Sequence, residues 1–302
     1  MPRQDIPSYL AIAALTVIWG SAFALTAVAL RGFGPVAVVT GRAGLAAIVL
    51  VAAAFAVGQG LPRDRVAWAW CAVIGITSLA LPFTLLTWAQ QFIPSSLAAV
   101  LISTSPLFIL LLARLILATR IGARQWVGFA TGFAGLVWLI GPDAMTLARA
   151  DLLPQLACLA TAFCYGLSSV LVRRMPPVPP VQATAASQLV AAIVLVPFGL
   201  SSLLDAAPVA GWGALLALAV LGLVQTGGAQ LLRYWTVRRA GPVFTSSVSY
   251  LIPVWAGVVG IVLLDEPLTW RLVGGFALIL AGLTVARNRP EPQPTAARSS
   301  AG

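Results

Sequence analysis

Residues Pro253 to Gly282 occur twice in this chain, and no other feature restricts the fold so strongly. Moved back by 147 positions (Gly275 onto Gly128), the stretch lies without a gap on Pro106 to Gly135. Leu264 then covers Leu117, Gly275-Phe276-Ala277 covers Gly128-Phe129-Ala130, and Ala281-Gly282-Leu283 covers Ala134-Gly135-Leu136. Upstream the register holds, with Ala219-Val220-Leu221-Gly222 over Ala72-Val73-Ile74-Gly75 and Trp235 over Trp88. At an offset of 145, Ala191 to Val196 repeats Ala46 to Val51, and at a similar spacing Tyr165-Gly166 echoes Trp19-Gly20. Apolar helices resemble one another by chance, but prolines and glycines in register do not. The chain is a duplicated unit of about 147 residues.

Of 302 residues, 60% are hydrophobic and 9% charged, with a mean hydropathy of +0.98. A soluble domain carries about 25% charged residues, so the duplicated unit belongs in lipid. A spanning helix needs about 20 apolar residues. Ten such spans are expected, near 8–30, 35–57, 66–89, 95–118, 122–141, 152–172, 181–202, 211–236, 242–264 and 270–287. They divide into a first copy over 1–146, a second over 147–288, and a tail over 289–302 rich in Pro, Ser and Ala, which reads as disordered and cytoplasmic. Five spans is an odd number, so the second copy enters the bilayer the other way up. Two inverted five-helix repeats around a central cavity are the expected architecture.

Every basic residue is Arg, and the connections after even-numbered spans hold most of them. Arg3, Arg63, Arg65, Arg120, Arg124, Arg173, Arg174, Arg238, Arg239, Arg287, Arg289 and Arg298 stand on the side of the N-terminus, against Arg31, Arg149 and Arg271 on the other. That asymmetry places both termini in the cytoplasm. The net charge of +10 is therefore a topology signal rather than a nucleic-acid signal.

The Trp19-Gly20-Ser21 motif of the first span, the mid-span Pro106 and Pro253, Leu264-Asp265-Glu266-Pro267 and the Gly275/Gly282 pair carry a family likeness. Over residues 8 to 287 the chain resembles the EamA-type branch of the drug/metabolite transporter superfamily, and within it the bacterial aromatic amino-acid exporters of the YddG type. The resemblance implies export of small metabolites. It also carries a departure, because Ala118-Thr119 stands in the first copy where the second has Asp265-Glu266. No symmetric role suits that acidic pair.

The chain has no His, which removes the commonest base, proton shuttle and metal ligand at once. Gly166-Leu167-Ser168-Ser169 has a nucleophile-like look but no base to activate it, so no enzyme, cofactor or metal site is expected. Cys71, Cys158 and Cys164 sit in apolar runs and read as packing residues. None of the eight acidic residues falls in the middle of a span. An intramembrane carboxylate is the usual relay of a proton-driven carrier, so its absence favours facilitated transport.

The candidate pocket residues are Trp19, Ser21, Ser78, Ser103, Tyr165, Ser168, Gln225 and Tyr250, all polar or aromatic at mid-span depth. Ser and Thr also serve simply to join helices, and both uses stand open for most of them. Arg42, about eight residues into the second span, either snorkels to the interface or meets a substrate carboxylate at the outer mouth. Pro82, Pro106 and Pro253 each remove a backbone donor and are candidate kinks or hinges. Aromatics and hydroxyls without acids suit a neutral or zwitterionic substrate with an apolar body. Amino acids are the leading class, with phosphorylated metabolites, nucleotide sugars or drugs as the alternative. The partners expected are that substrate and the lipid bilayer, with no nucleic acid, and a monomer is the simplest assembly.

Overall fold

A computed structural model describes residues 5–118, 122–140, 152–240, 242–245 and 248–286. The boundary between the two copies and the 289–302 tail lie outside the described residues. Among the described residues, seven helices are long and apolar enough to cross a membrane: α1 (Ile6–Ala29), α2 (Pro35–Ala56), α3 (Arg65–Ala89), α4 (Ser95–Leu117), α6 (Leu152–Val172), α7 (Pro180–Ala206) and α8 (Trp212–Ala240). Shorter apolar helices complete the bundle: α5 (Ala123–Ile140), α9 (Val248–Leu264) and α10 (Trp270–Ala286). Large apolar side chains such as Ile48, Phe198, Val262 and Leu263 are exposed, as a lipid-facing surface requires.

Local chemistry sets where the helices begin. Asp5 caps α1, accepting from the Ser8 backbone N–H, and Asp64 caps α3 through the Ala67 N–H. Proline opens α1, α2 and α7, where its missing N–H costs nothing. Glu266 caps a helix from far along the chain. Its two oxygens accept from the Ser95 N–H (2.6 Å) and the Ser96 N–H (2.9 Å), at the first turn of α4. The residue standing over Ser95 in the repeat is Pro242, which has no N–H to offer. One of the two donors that Glu266 uses is thus missing at the corresponding place in the second copy, where Val243 keeps the other.

Two distortions recur at the repeat spacing. Helix α3 contains a π turn at Ile76–Ala80, and α8 contains one at Leu221–Gly228. Ala118 and Asp265, offset by 147, both take left-handed backbone angles, with φ of 53° and 54°. The prolines are handled locally. Pro106 cannot donate to the Ile102 carbonyl, and the Ser105 hydroxyl does so instead at 2.7 Å, next to a break in α4 at Ser103–Thr104. Pro82 follows the α3 π turn, where Leu81 N–H reaches back five residues to Ile76.

The halves meet through paired contacts. α5 packs along α10, α2 along α7, α1 against α9, and α6 against α4. At Gly135 a Cβ would lie 2.8 Å from the Gly275 carbonyl, and at Gly282 it would lie 2.5 Å from the Gly128 carbonyl. Since 128 and 135 map onto 275 and 282, these are one contact with the partners exchanged. Lipid gives little hydrophobic drive for helix pairing, so close backbone approach supplies the dispersion energy. Replacing Gly282 with Ala is expected to cost about 1–3 kcal/mol by overpacking. Gly257→Ala, which would point into open space, is expected to be neutral or slightly stabilising. Thermal unfolding in detergent checks both, and equal melting temperatures would refute the close-packing account.

Candidate functional site

The Trp19-Gly20-Ser21 motif is the hub of the site. Gly20 lets α1 approach α9, where a Cβ would lie 2.7 Å from the Trp255 ring. The Trp255 indole N–H donates to the Ser21 hydroxyl at 2.9 Å. On the other side, Trp19 Nε1–H donates to the Gln225 carbonyl at 3.1 Å. That carbonyl lies in the α8 π turn, where the Ala229 N–H bonds Val224 five residues back rather than Gln225. The π register thus turns the Gln225 carbonyl towards α1. In the second copy Gly166 does for α6 and α4 what Gly20 does for α1 and α9, with Phe108 in place of Trp255.

Next to Gln225, Thr226 ties the site to the first copy. Its hydroxyl donates to the Leu221 carbonyl (2.9 Å) and accepts from Arg42 Nε–H at 2.8 Å. Arg42 is only 8% exposed, with its guanidinium carbon 4.1 Å from the centre of the Phe83 ring. A cation over an aromatic face gains about 0.5–2 kcal/mol, more when desolvated. Tyr165, from α6, lies within Coulombic reach of Arg42 and packs among Val39, Ala43 and Phe83. Arg42 is therefore placed inside the bundle, its side chain against Thr226 and Phe83. Among the described residues no carboxylate pairs with it, and its terminal amino groups have no acceptor. The Gln225 side-chain oxygen is likewise buried without a donor.

Trp19, Ser21, Arg42, Tyr165 and Gln225 thus form one connected group. Other expected pocket residues use their hydroxyls on their own helices. Ser78 donates to Ile74, Ser103 to Val100 and Ser168 to Tyr165. Pro82 touches α6 through its carbonyl, which accepts from Thr161 at 3.2 Å, and Pro106 sits at the break in α4. The side chains of Tyr250 and Pro253 lie outside the described residues. Sequence reasoning passed over Phe83 and Trp255. The offsets of 146 from Gly20 to Gly166 and 147 from Phe108 to Trp255 were the available signal for the second.

The α1–α8 pair is also fixed at one end. The Asp5 carboxylate accepts from Arg239 Nε–H (3.2 Å) and from its terminal amino group (2.6 Å). The hydrogen bonds from Arg239 and Ser8 hold the Asp5 carboxyl well below the usual carboxylate range. A lowered folded-state value means the contribution is present above the unfolded value near pH 4 and is lost as pH falls through the folded one. The stability gap between wild type and Asp5→Asn is expected to be constant from about pH 8 to 5 and to narrow below about pH 4. Melting temperatures across that range check it. A gap that widened in acid would refute the pairing.

An all-helical membrane bundle with a polar and aromatic group buried at its middle is the build of a small-molecule carrier. The chain belongs to the EamA-like transporter family, whose profile matches residues 6–141 and again residues 152–287. It is 30% identical over 291 residues to the "Uncharacterized inner membrane transporter YedA" of Escherichia coli K12, covering 93% of this chain and 92% of the relative. A Streptantibioticus cattleyicolor relative named "Probable terminal-alkyne amino-acid exporter" is 27% identical, over 91% of this chain and 92% of its own. A solved crystal structure aligns with a TM-score of 0.65 at 25% identity, covering 92% of this chain and 96% of that one.

Proposed function

We propose that the protein exports small amphipathic metabolites, amino acids and aromatic ones among them, across a bacterial inner membrane. It works by alternating access and without a coupled ion. The architecture in this reading is ten spans in two inverted five-span copies, 1–146 and 147–288, with both termini in the cytoplasm. The exchanged contacts of Gly135 with Gly275 and of Gly282 with Gly128 support it, because a contact whose partners swap under the repeat is the mark of a two-fold axis. With five spans per copy the axis lies in the membrane plane, and the substrate sits near the midplane where the halves meet.

The observation that carries the substrate class is the buried Arg42–Thr226–Gln225–Trp19 group. It offers the guanidinium of Arg42, bonded to Thr226 through Nε, and an unmatched acceptor in Gln225, beside the rings of Trp19, Phe83 and Tyr165. A zwitterion with an apolar body presents the complement: a carboxylate for Arg42, an ammonium for the Gln225 oxygen and aromatic faces, and a side chain for the rings. The amino-acid exporter among the relatives is in keeping with this. With every acidic residue away from mid-span, no side chain is placed to relay a proton.

Reconstitution into liposomes tests the reading. Labelled phenylalanine, tryptophan, alanine and a sugar phosphate are supplied, with and without a proton gradient. Saturable amino-acid uptake, indifferent to the gradient, is expected. Trp19→Ala and Tyr165→Ala should each lower the initial rate roughly tenfold, the effect of losing about 1.4 kcal/mol of contact. Sugar-phosphate uptake without amino-acid uptake would overturn the substrate class.

A further inference from the structure

We infer that the carrier runs as an exchanger: it moves a carboxylate-bearing substrate one way much faster when another returns the other way. The inference rests on the substrate reading above and adds how the transport cycle is closed.

It starts from the isolation of Arg42. The side chain is buried, and its Nε–H goes to a neutral hydroxyl that is itself donating to the Leu221 carbonyl. A guanidinium carries five N–H donors and keeps its proton at any working pH. A buried carboxylate could shed its charge by protonation, but this group cannot. Every described acidic residue that could neutralise it sits at or beyond a helix end: Asp5, Asp64, Asp205, Asp265 and Glu266. Asp5 is already held by Arg239, and Glu266 by the Ser95 and Ser96 N–H groups.

To change the face it opens to, a carrier passes through a state closed to both sides. Water then leaves the site, and a charge held only by a neutral hydroxyl and an aromatic ring, with no counter-charge, pays a large part of its desolvation penalty. In the empty carrier nothing replaces that water around the Arg42 amino groups. In the loaded carrier the substrate carboxylate supplies both the counter-charge and the acceptors, while its ammonium satisfies the buried Gln225 oxygen. The penalty therefore falls on the empty return alone. Net flux needs that step and exchange does not. A cargo lacking the carboxylate leaves Arg42 as it was and cannot assist the return.

The test uses proteoliposomes of the full chain and labelled L-phenylalanine outside. The lumen holds buffer alone, unlabelled L-phenylalanine, or phenethylamine, which keeps the ring and amine but lacks the carboxylate. Lumenal phenylalanine is expected to raise the initial uptake rate by about tenfold or more, corresponding to roughly 1.4 kcal/mol or more on the return barrier, and phenethylamine to leave it unchanged. Arg42→Lys retains the charge and the stimulation. Arg42→Gln weakens apparent affinity but brings the loaded and empty rates together, with a ratio near one. Equal wild-type rates into empty and phenylalanine-loaded vesicles, with saturable uptake, would overturn exchange and leave the amino-acid reading standing. Stimulation by phenethylamine equal to that by phenylalanine would overturn the role of the carboxylate, and so this inference. No phenylalanine uptake into any vesicle would overturn the substrate reading and this inference together. The wild-type arms decide the matter even where Arg42→Gln does not fold.

Discussion

Lipid is as apolar as a leucine side chain, so burying one more leucine between helices gains little. What holds this bundle is what lipid cannot supply: backbone contact at distances only glycine permits, and hydrogen bonds for groups that have no water. The α5–α10 seam works by the first means, through Gly135 and Gly282. The α1–α8–α9 hub works by both, with Gly20 allowing the approach and the Trp19 and Trp255 indoles donating across it. Such bonds join the first copy to the second. The same residues that set the packing between halves therefore also form the wall of the site.

This requirement explains which polar residues are free for a substrate. A serine hydroxyl in a span can always fall back on a carbonyl of its own helix, and Ser78, Ser103 and Ser168 do so. A glutamine side chain has more groups than one carbonyl can satisfy, and a guanidinium has more still. The unmatched groups of the site accordingly belong to Gln225 and Arg42, the two long polar side chains at its centre. Length is not the whole of it, since the short Thr16 hydroxyl on α1 is also buried without a partner.

The duplication and the helical bundle were legible in the sequence because glycines and prolines mark backbone events, and duplication copies backbone events more faithfully than side chains. The Gly275/Gly282 register pointed to the seam, and the positions of Trp19 and Gly20 pointed to the hub. The π turns were not legible. A single slipped backbone hydrogen bond makes one, and the α3 example precedes a proline while the α8 example does not. The partner of Arg42 was equally hidden, since Thr226 stands 184 positions away in the other copy. Counting residues from the start of its span put Arg42 near a membrane face, whereas a long side chain reached inward to a hydroxyl and a ring. The acidic pair was read as an asymmetry without a cause, and at Pro242 the second copy lacks one of the two donors that Glu266 uses.

The two copies share a frame but differ in the residues that line the site. The repeat sets Trp19 over Tyr165 and Ser78 over Gln225, and at the offset of 145 it sets Arg42 over Ser187. The backbones at the last pair are used alike, since Gly222 packs on the Arg42 carbonyl and Gly75 on that of Ser187. Only one of the two carries a charge. In the alternating-access cycle proposed above, a symmetric frame would let the site open to either face with similar packing at each end. A lining that was equally symmetric would hold a substrate in two opposed orientations with equal affinity. Placing the cation in one copy and the long amide in the other removes that degeneracy, because a zwitterion can satisfy both only one way round. For the zwitterionic cargo proposed above, divergence at these pairs, on a frame held alike by glycine, would let a duplicated carrier distinguish the head of its cargo from the tail.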